Sequence, residues 1–175
     1  MNQNDLKLIM LLLPFLFLAS CSSASKTYND SARKNTTRKS VDRSSGKSLR
    51  KNIAKEGKKY VGIPYKYAGK TPKTGFDCSG FTSYVFDKFD IEISTGSKYQ
   101  AKTGREIPLK RAKAGDLIFF GKGRKVTHVA LVTRNTRDGI EVVHSTSSKG
   151  IMVQNISKSS YWKPKILFVR DVITR

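Results

Sequence analysis

The sequence predicts one α+β domain, with amino-terminal helices packed on an antiparallel β-sheet. Three observations carry this. Apolar residues recur at helical spacing as far as Phe89; short β-rich runs take over after Gly115-Asp116. The length of 175 residues suits one ordinary domain with appendages.

The apolar run from Leu8 to Leu18 is too short for a stable bilayer span, and Pro14 interrupts it. It leads into Leu18-Ala19-Ser20-Cys21, small residues that give a signal peptidase access to the backbone. These four residues resemble a bacterial lipobox, whose cysteine is joined to diacylglycerol, exposed by cleavage and acylated. The expectation is therefore a lipoprotein signal peptide over 1–20 and an acylated Cys21 (palmitate class). An ordinary secretory signal or a buried helix is the alternative.

From Lys26 to Lys51, Lys and Arg far outnumber Asp30 and Asp42, and apolar residues are nearly absent before Leu49. Such a segment buries too little apolar surface to offset its chain entropy. Residues 21–45 are expected to be a flexible basic tether, and residues 46–175 the folded domain. Over the whole chain, 34 Lys and Arg against 13 Asp and Glu leave a net charge of +21. That charge would suit nucleic acid in the cytosol, but an export signal points instead to lipid head groups, wall polymers and the carboxylates of peptidoglycan stem peptides. No nucleic acid is expected as a partner.

The first helix is expected from about Ser48 to Tyr60, because Leu49, Ile53, Ala54, Tyr60 and Val61 keep near-helical spacing before Gly62 and Pro64. A second places Cys78, Phe81, Val85, Phe86 and Phe89 on one stripe, with Asp77 as its cap. Strands follow at Leu117–Phe120, Val126–Thr133, Ile140–Ser145, Ile151–Asn155 and Ile166–Val169.

Lipidation would consume Cys21 and leave Cys78 unpaired, which in an oxidising compartment suggests reactivity rather than a disulfide framework. At a helix amino terminus its thiolate is favoured below the free thiol value of about 8.5. The chain has two histidines, His128 and His144, equidistant from Thr136 in the turn signal Asn135–Gly139. With Thr136 as the hairpin centre the imidazoles face each other, about 4.5 to 5.5 Å apart at Cβ. His144 can then hold one ring nitrogen of His128 while the other faces the thiol. The bland alternatives are core packing for each residue, or a zinc site of Cys, His and His, although no CxxC or HxxxH spacing is present. No cofactor or metal is expected.

Gly62-Ile63-Pro64-Tyr65, Gly75-Phe76-Asp77-Cys78-Ser79-Gly80-Phe81, Gly115-Asp116-Leu117 and His128-Val129-Ala130-Leu131 resemble the NlpC-family cell-wall peptidases, from about Ile53 to Val172. The resemblance implies a papain-like fold, with Cys78 as nucleophile, His128 as base and His144 orienting it. It places Tyr65 near the oxyanion, with Tyr67 as the alternative, and Ser79 beside the nucleophile on the substrate side. Ser97 and Gln100 match positions near the groove; Ala68 and Ser94-Thr95 depart from the family pattern. Asp77 is assigned to capping, since a carboxylate there opposes a thiolate.

The implied function is that of a lipid-anchored cysteine endopeptidase cutting stem peptides or crosslinks of peptidoglycan. It would act as a monomer outside the cytoplasm in the bacterial envelope, facing the periplasm where an outer membrane exists. Acyl transfer by the same triad, or non-catalytic tethering to peptidoglycan, is the alternative.

Overall fold

The computed structural model describes residues 45–174. Cys21, the signal segment and the tether up to residue 44 lie outside the described residues. Residue 45, where the tether is expected to end, is already helical.

Helix α1 covers 45–58, starting and ending earlier than expected, and the chain turns through 59–62. Its Ile53 is fully buried against the sheet. A small hairpin follows, β1 (Lys70–Thr71) and β2 (Gly75–Phe76), and leads straight into α2 (Cys78–Asp87). The Asp77 side chain accepts from the Gly80 amide at 2.7 Å, capping α2 as expected. Glycine is needed at position 80 for another reason. A Cβ there would collide with the Gly69 carbonyl, so the tip of α2 packs backbone to backbone on the preceding loop.

A short helix α3 (Ser97–Gln100) and strand β3 (Arg105–Ile107) precede the main strands β4 (Leu117–Lys122), β5 (Lys125–Thr136), β6 (Gly139–Thr146), β7 (Gly150–Asn155) and β8 (Ile166–Asp171). The sheet is antiparallel, in the order β3-β8-β4-β5-β6-β7. The five expected strands are present, so Leu117 opens the fourth strand rather than the first. The hairpin, α3 and β3 were not anticipated, being too short to show a period.

The sheet separates two apolar layers. On one side Val129, Leu131 and Val143 meet Ile53, Phe81, Val85 and Phe86 of the helices. On the other, Phe120, Ala130, Val132 and Val142 are covered by Ile156 and Trp162 from the segment joining β7 to β8. Arg50 of α1 ties the ends together, donating to Asp116 before β4 and to Asp171 at the end of β8, both at 2.6 Å.

The β5–β6 turn differs from the expectation. Thr136 pairs with Gly139, so Arg137 and Asp138 form the loop and Thr136 is not its centre. A bulge then leaves Thr133 unpaired between Val132↔Val142 and Arg134↔Glu141. The turn and the bulge displace the ladder in opposite directions. Continuing the pairing Leu131↔Val143 puts His144 opposite Ala130, and His128 two residues further along. The histidines are diagonal neighbours rather than directly opposed, yet remain on one face because the displacement is even.

Candidate active site

His128 and His144 stand on the sheet face that carries Phe120, which pairs with His128 across β4 and β5. Helix α2 packs on the opposite face, against Val129, Leu131 and Val143, so it does not lie over the imidazoles. Cys78, at the tip of α2, shares a cavity with His128. Cys78, His128, Tyr65, Phe120 and Trp162 line one cavity of about 560 Å³.

His128 Nε2 lies 3.0 Å from His144 Nδ1, with ring centroids 5.1 Å apart. Only one proton can sit between the two nitrogens. For His128 to accept a proton at Nδ1 it must carry its own at Nε2 and donate to His144, which is then protonated at Nε2. That nitrogen is buried and has no hydrogen-bond partner among the described residues. Gln154 borders the cavity diagonally across β6 and β7, where His144 pairs with Met152 and Val142 with Gln154. Its amide oxygen suits the proton on His144 Nε2.

Burial first, and then the neighbouring His144, lower the His128 pKa to about 3. Burial likewise brings His144 to about 4, with Gln154 acting in the opposite direction. Both rings are therefore neutral near pH 7. Burial raises the Cys78 thiol above its ordinary value, and the Asp77 charge adds to this, against hydrogen bonds from the Val129 and Ser79 amides. The expected resting thiolate is thus corrected: desolvation outweighs the helix terminus, and the resting pair is thiol and imidazole.

Tyr65 borders the cavity, and burial and then the charge on Cys78 raise its phenol pKa. A bridge to Phe76 fixes its backbone. Tyr67 is 83% exposed and outside the cavity lining, so Tyr65 is the one of the two that borders the cavity. Ser79 is not among the residues lining the cavity. Its one hydroxyl proton is shared between Thr95 O at 2.8 Å and Asp77 Oδ1 at 3.0 Å. Gln100 is fully buried, binding Ser79 O and accepting from Thr82, and Ser97 opens α3; neither lines the cavity.

The sequence reading missed Trp162, Gln154 and three lysines that border the cavity, Lys122, Lys149 and Lys165. Trp162 is the only tryptophan in the chain, and it follows a polar stretch with no periodicity to place it.

Residues 62–171 match the NlpC/P60 family. The chain belongs to the NlpC/P60 family. It is 42% identical over 124 residues to the gamma-DL-glutamyl hydrolase of Bacillus subtilis, covering 69% of this chain and 29% of that protein. It is 33% identical over 114 residues to the probable endopeptidase NlpC of Escherichia coli, covering 63% of this chain and 70% of the other. The chain thus spans under a third of the Bacillus relative's length. Among solved structures, an NLP/P60-family protein from Staphylococcus aureus, described as similar to lipoprotein, superposes with a TM-score of 0.62 at 32% identity, over 73% of this chain and 42% of that one. The α+β architecture is the papain-like fold of NlpC/P60 domains.

Proposed function

We propose that this NlpC/P60 domain is a cysteine endopeptidase that hydrolyses peptide bonds of peptidoglycan, with Cys78 as nucleophile, His128 as base and His144 orienting the base. The observation that carries it is the 3.0 Å contact of buried His144 with His128, which lines the same cavity as Cys78.

A neutral imidazole beside a neutral thiol suits general-base attack. As sulfur bonds to the substrate carbonyl carbon, its proton passes to His128 Nδ1. The oxyanion faces the Cys78 backbone amide, at the open start of α2, and the Tyr65 hydroxyl. The C–N bond then breaks, the amine leaves with the proton from His128, and a thioester remains. Water attacks it, His128 takes the water's proton, and the S–C bond breaks to return the thiol and release a carboxylic acid.

Lys122, Lys149 and Lys165 around the cavity suit a substrate bearing carboxylates, as stem peptides do. The same lysines favour a second reading, cleavage of γ-DL-glutamyl bonds outside peptidoglycan, the bond type in the name of the Bacillus relative. Leu18-Ala19-Ser20-Cys21 supports anchoring through an acylated Cys21 at the outer side of a membrane.

Incubation of the protein with purified peptidoglycan and, separately, with poly-γ-glutamate, followed by mass analysis, tests the reading. Stem-peptide fragments each gaining one water support it, and polymer fragments alone support the second reading. Products carrying an added amine indicate acyl transfer. Binding without products indicates a wall-binding domain and overturns both.

A further inference from the structure

The base is enclosed by aromatic rings. Trp162 stacks on His128 with ring centroids 4.5 Å apart and planes inclined at 30°, and meets His144 edge-on at 5.0 Å. Phe120 packs beside His128 at 5.7 Å and touches Trp162 at 5.1 Å. Trp162 comes from the segment joining β7 to β8, separate from the helix that carries the thiol and from the strands that carry the histidines. Its backbone amide is held by Ser159 Oγ at 3.1 Å.

We propose that Trp162 is a positioning residue of this site, its indole face holding the His128 ring in the plane that meets both Cys78 and His144 and stabilising the positive charge that ring gains on taking the thiol proton. The proposal rests on the peptidase reading above.

The contact with His144 restrains one nitrogen of His128 but leaves the ring free to rock about that point. A stacked indole removes this freedom, since an offset ring pair resists tilting. The charge argument is separate. Burial among apolar rings opposes formation of an imidazolium, whereas the negative face of an indole favours it, more so where water is excluded. A residue that merely filled space over the strand would be replaceable by any apolar side chain of similar bulk. Leucine supplies bulk without a π face, and phenylalanine supplies a smaller face, so the two substitutions separate the readings.

The test uses the full chain as wild type, Trp162→Phe and Trp162→Leu, with thermal melting and kinetics on a soluble stem peptide. Trp162→Phe is expected to keep kcat within about threefold, and Trp162→Leu to lose roughly tenfold in kcat with KM within about twofold. The acid limb of the Leu variant's rate profile moves to lower pH, because its imidazolium has lost support. Equal kcat for Leu and Phe, a loss confined to KM, or an unmoved acid limb would each overturn the proposal. If Trp162→Leu does not fold, emission from the one tryptophan decides, as an imidazolium in contact with an indole quenches it by accepting an electron. Quenching on acidification in wild type that is absent from His128→Ala supports the proposal, and the same response in both overturns it. A wild type that cleaves nothing defeats the peptidase reading alone, while the fluorescence comparison still judges the contact.

Discussion

His128 Nε2 and His144 Nδ1 meet at 3.0 Å although the strand ladder sets the two residues diagonally rather than face to face. Diagonal side chains on neighbouring strands are about 7 to 8 Å apart at their bases. Only side chains as long as imidazole close that gap. His144→Asn and His144→Gln are expected to lower kcat about tenfold to hundredfold, because an amide can still accept one hydrogen bond from His128 but lacks the rigid ring that holds the accepting atom in place. Cys78→Ala and His128→Ala remove a chemical participant and are expected to lose at least about a thousandfold. Gln154→Leu removes the acceptor suited to His144 Nε2 and should lower kcat, while a metal chelator should leave every variant unchanged. A fully active His144→Asn, or a chelator loss restored by zinc, defeats the assignment; peptide-release assays read all of these.

Cys78 rests as a thiol because burial, aided by Asp77, holds its proton above the ordinary thiol range. Its alkylation by iodoacetamide near pH 7.5 is expected to be slower than that of a free thiol, with an inflection above about pH 8.5. An inflection below that value would indicate a preformed thiolate–imidazolium pair and reverse the order of proton transfer.

Stability should fall in mild acid. The folded histidines titrate at about 3 and about 4, whereas an unfolded imidazole titrates near 6.5. Between these values the unfolded chain binds more protons than the folded one, so stability decreases as pH falls. Tm is expected to be level above about pH 7 and to drop by several degrees by about pH 4.5, with a shallower drop in His128→Phe. Melting curves across that range decide, and equal slopes in both proteins contradict the account.

Arg50 is the one described cation bonded to both Asp116 and Asp171, and Asp116 is fully buried. Arg50→Ala strands that carboxylate and is expected to cost about 3 to 5 kcal/mol in urea unfolding. Adding Asp116→Asn should recover part of the loss, since a neutral amide is cheaper to bury than an unpaired charge. No recovery would mean that the packing of Arg50, not its charge, holds α1 to the sheet.

Cys21 is expected to carry lipid. Metabolic labelling with a fatty-acid analogue should tag the wild type and not Cys21→Ala, and labelling that persists in the variant removes the anchoring proposal.

The sequence by itself determined the two long helices and the five long strands, the cap on α2, the single face shared by the two histidines and the residues that carry the family resemblance. These are local matters: a cap is set within three residues, and the face of a strand residue depends only on parity, which survived an even displacement of the ladder. The tertiary structure alone decided the rest. The turn at Arg137-Asp138 and the bulge at Thr133 set which residues stand opposite one another, and a bulge depends on packing that no single strand records. The thiol's protonation also follows from the fold, because desolvation is a property of what surrounds a group rather than of its neighbours in the chain. Trp162 reached His128 from a segment 34 positions along the sequence, where periodicity says nothing about contact.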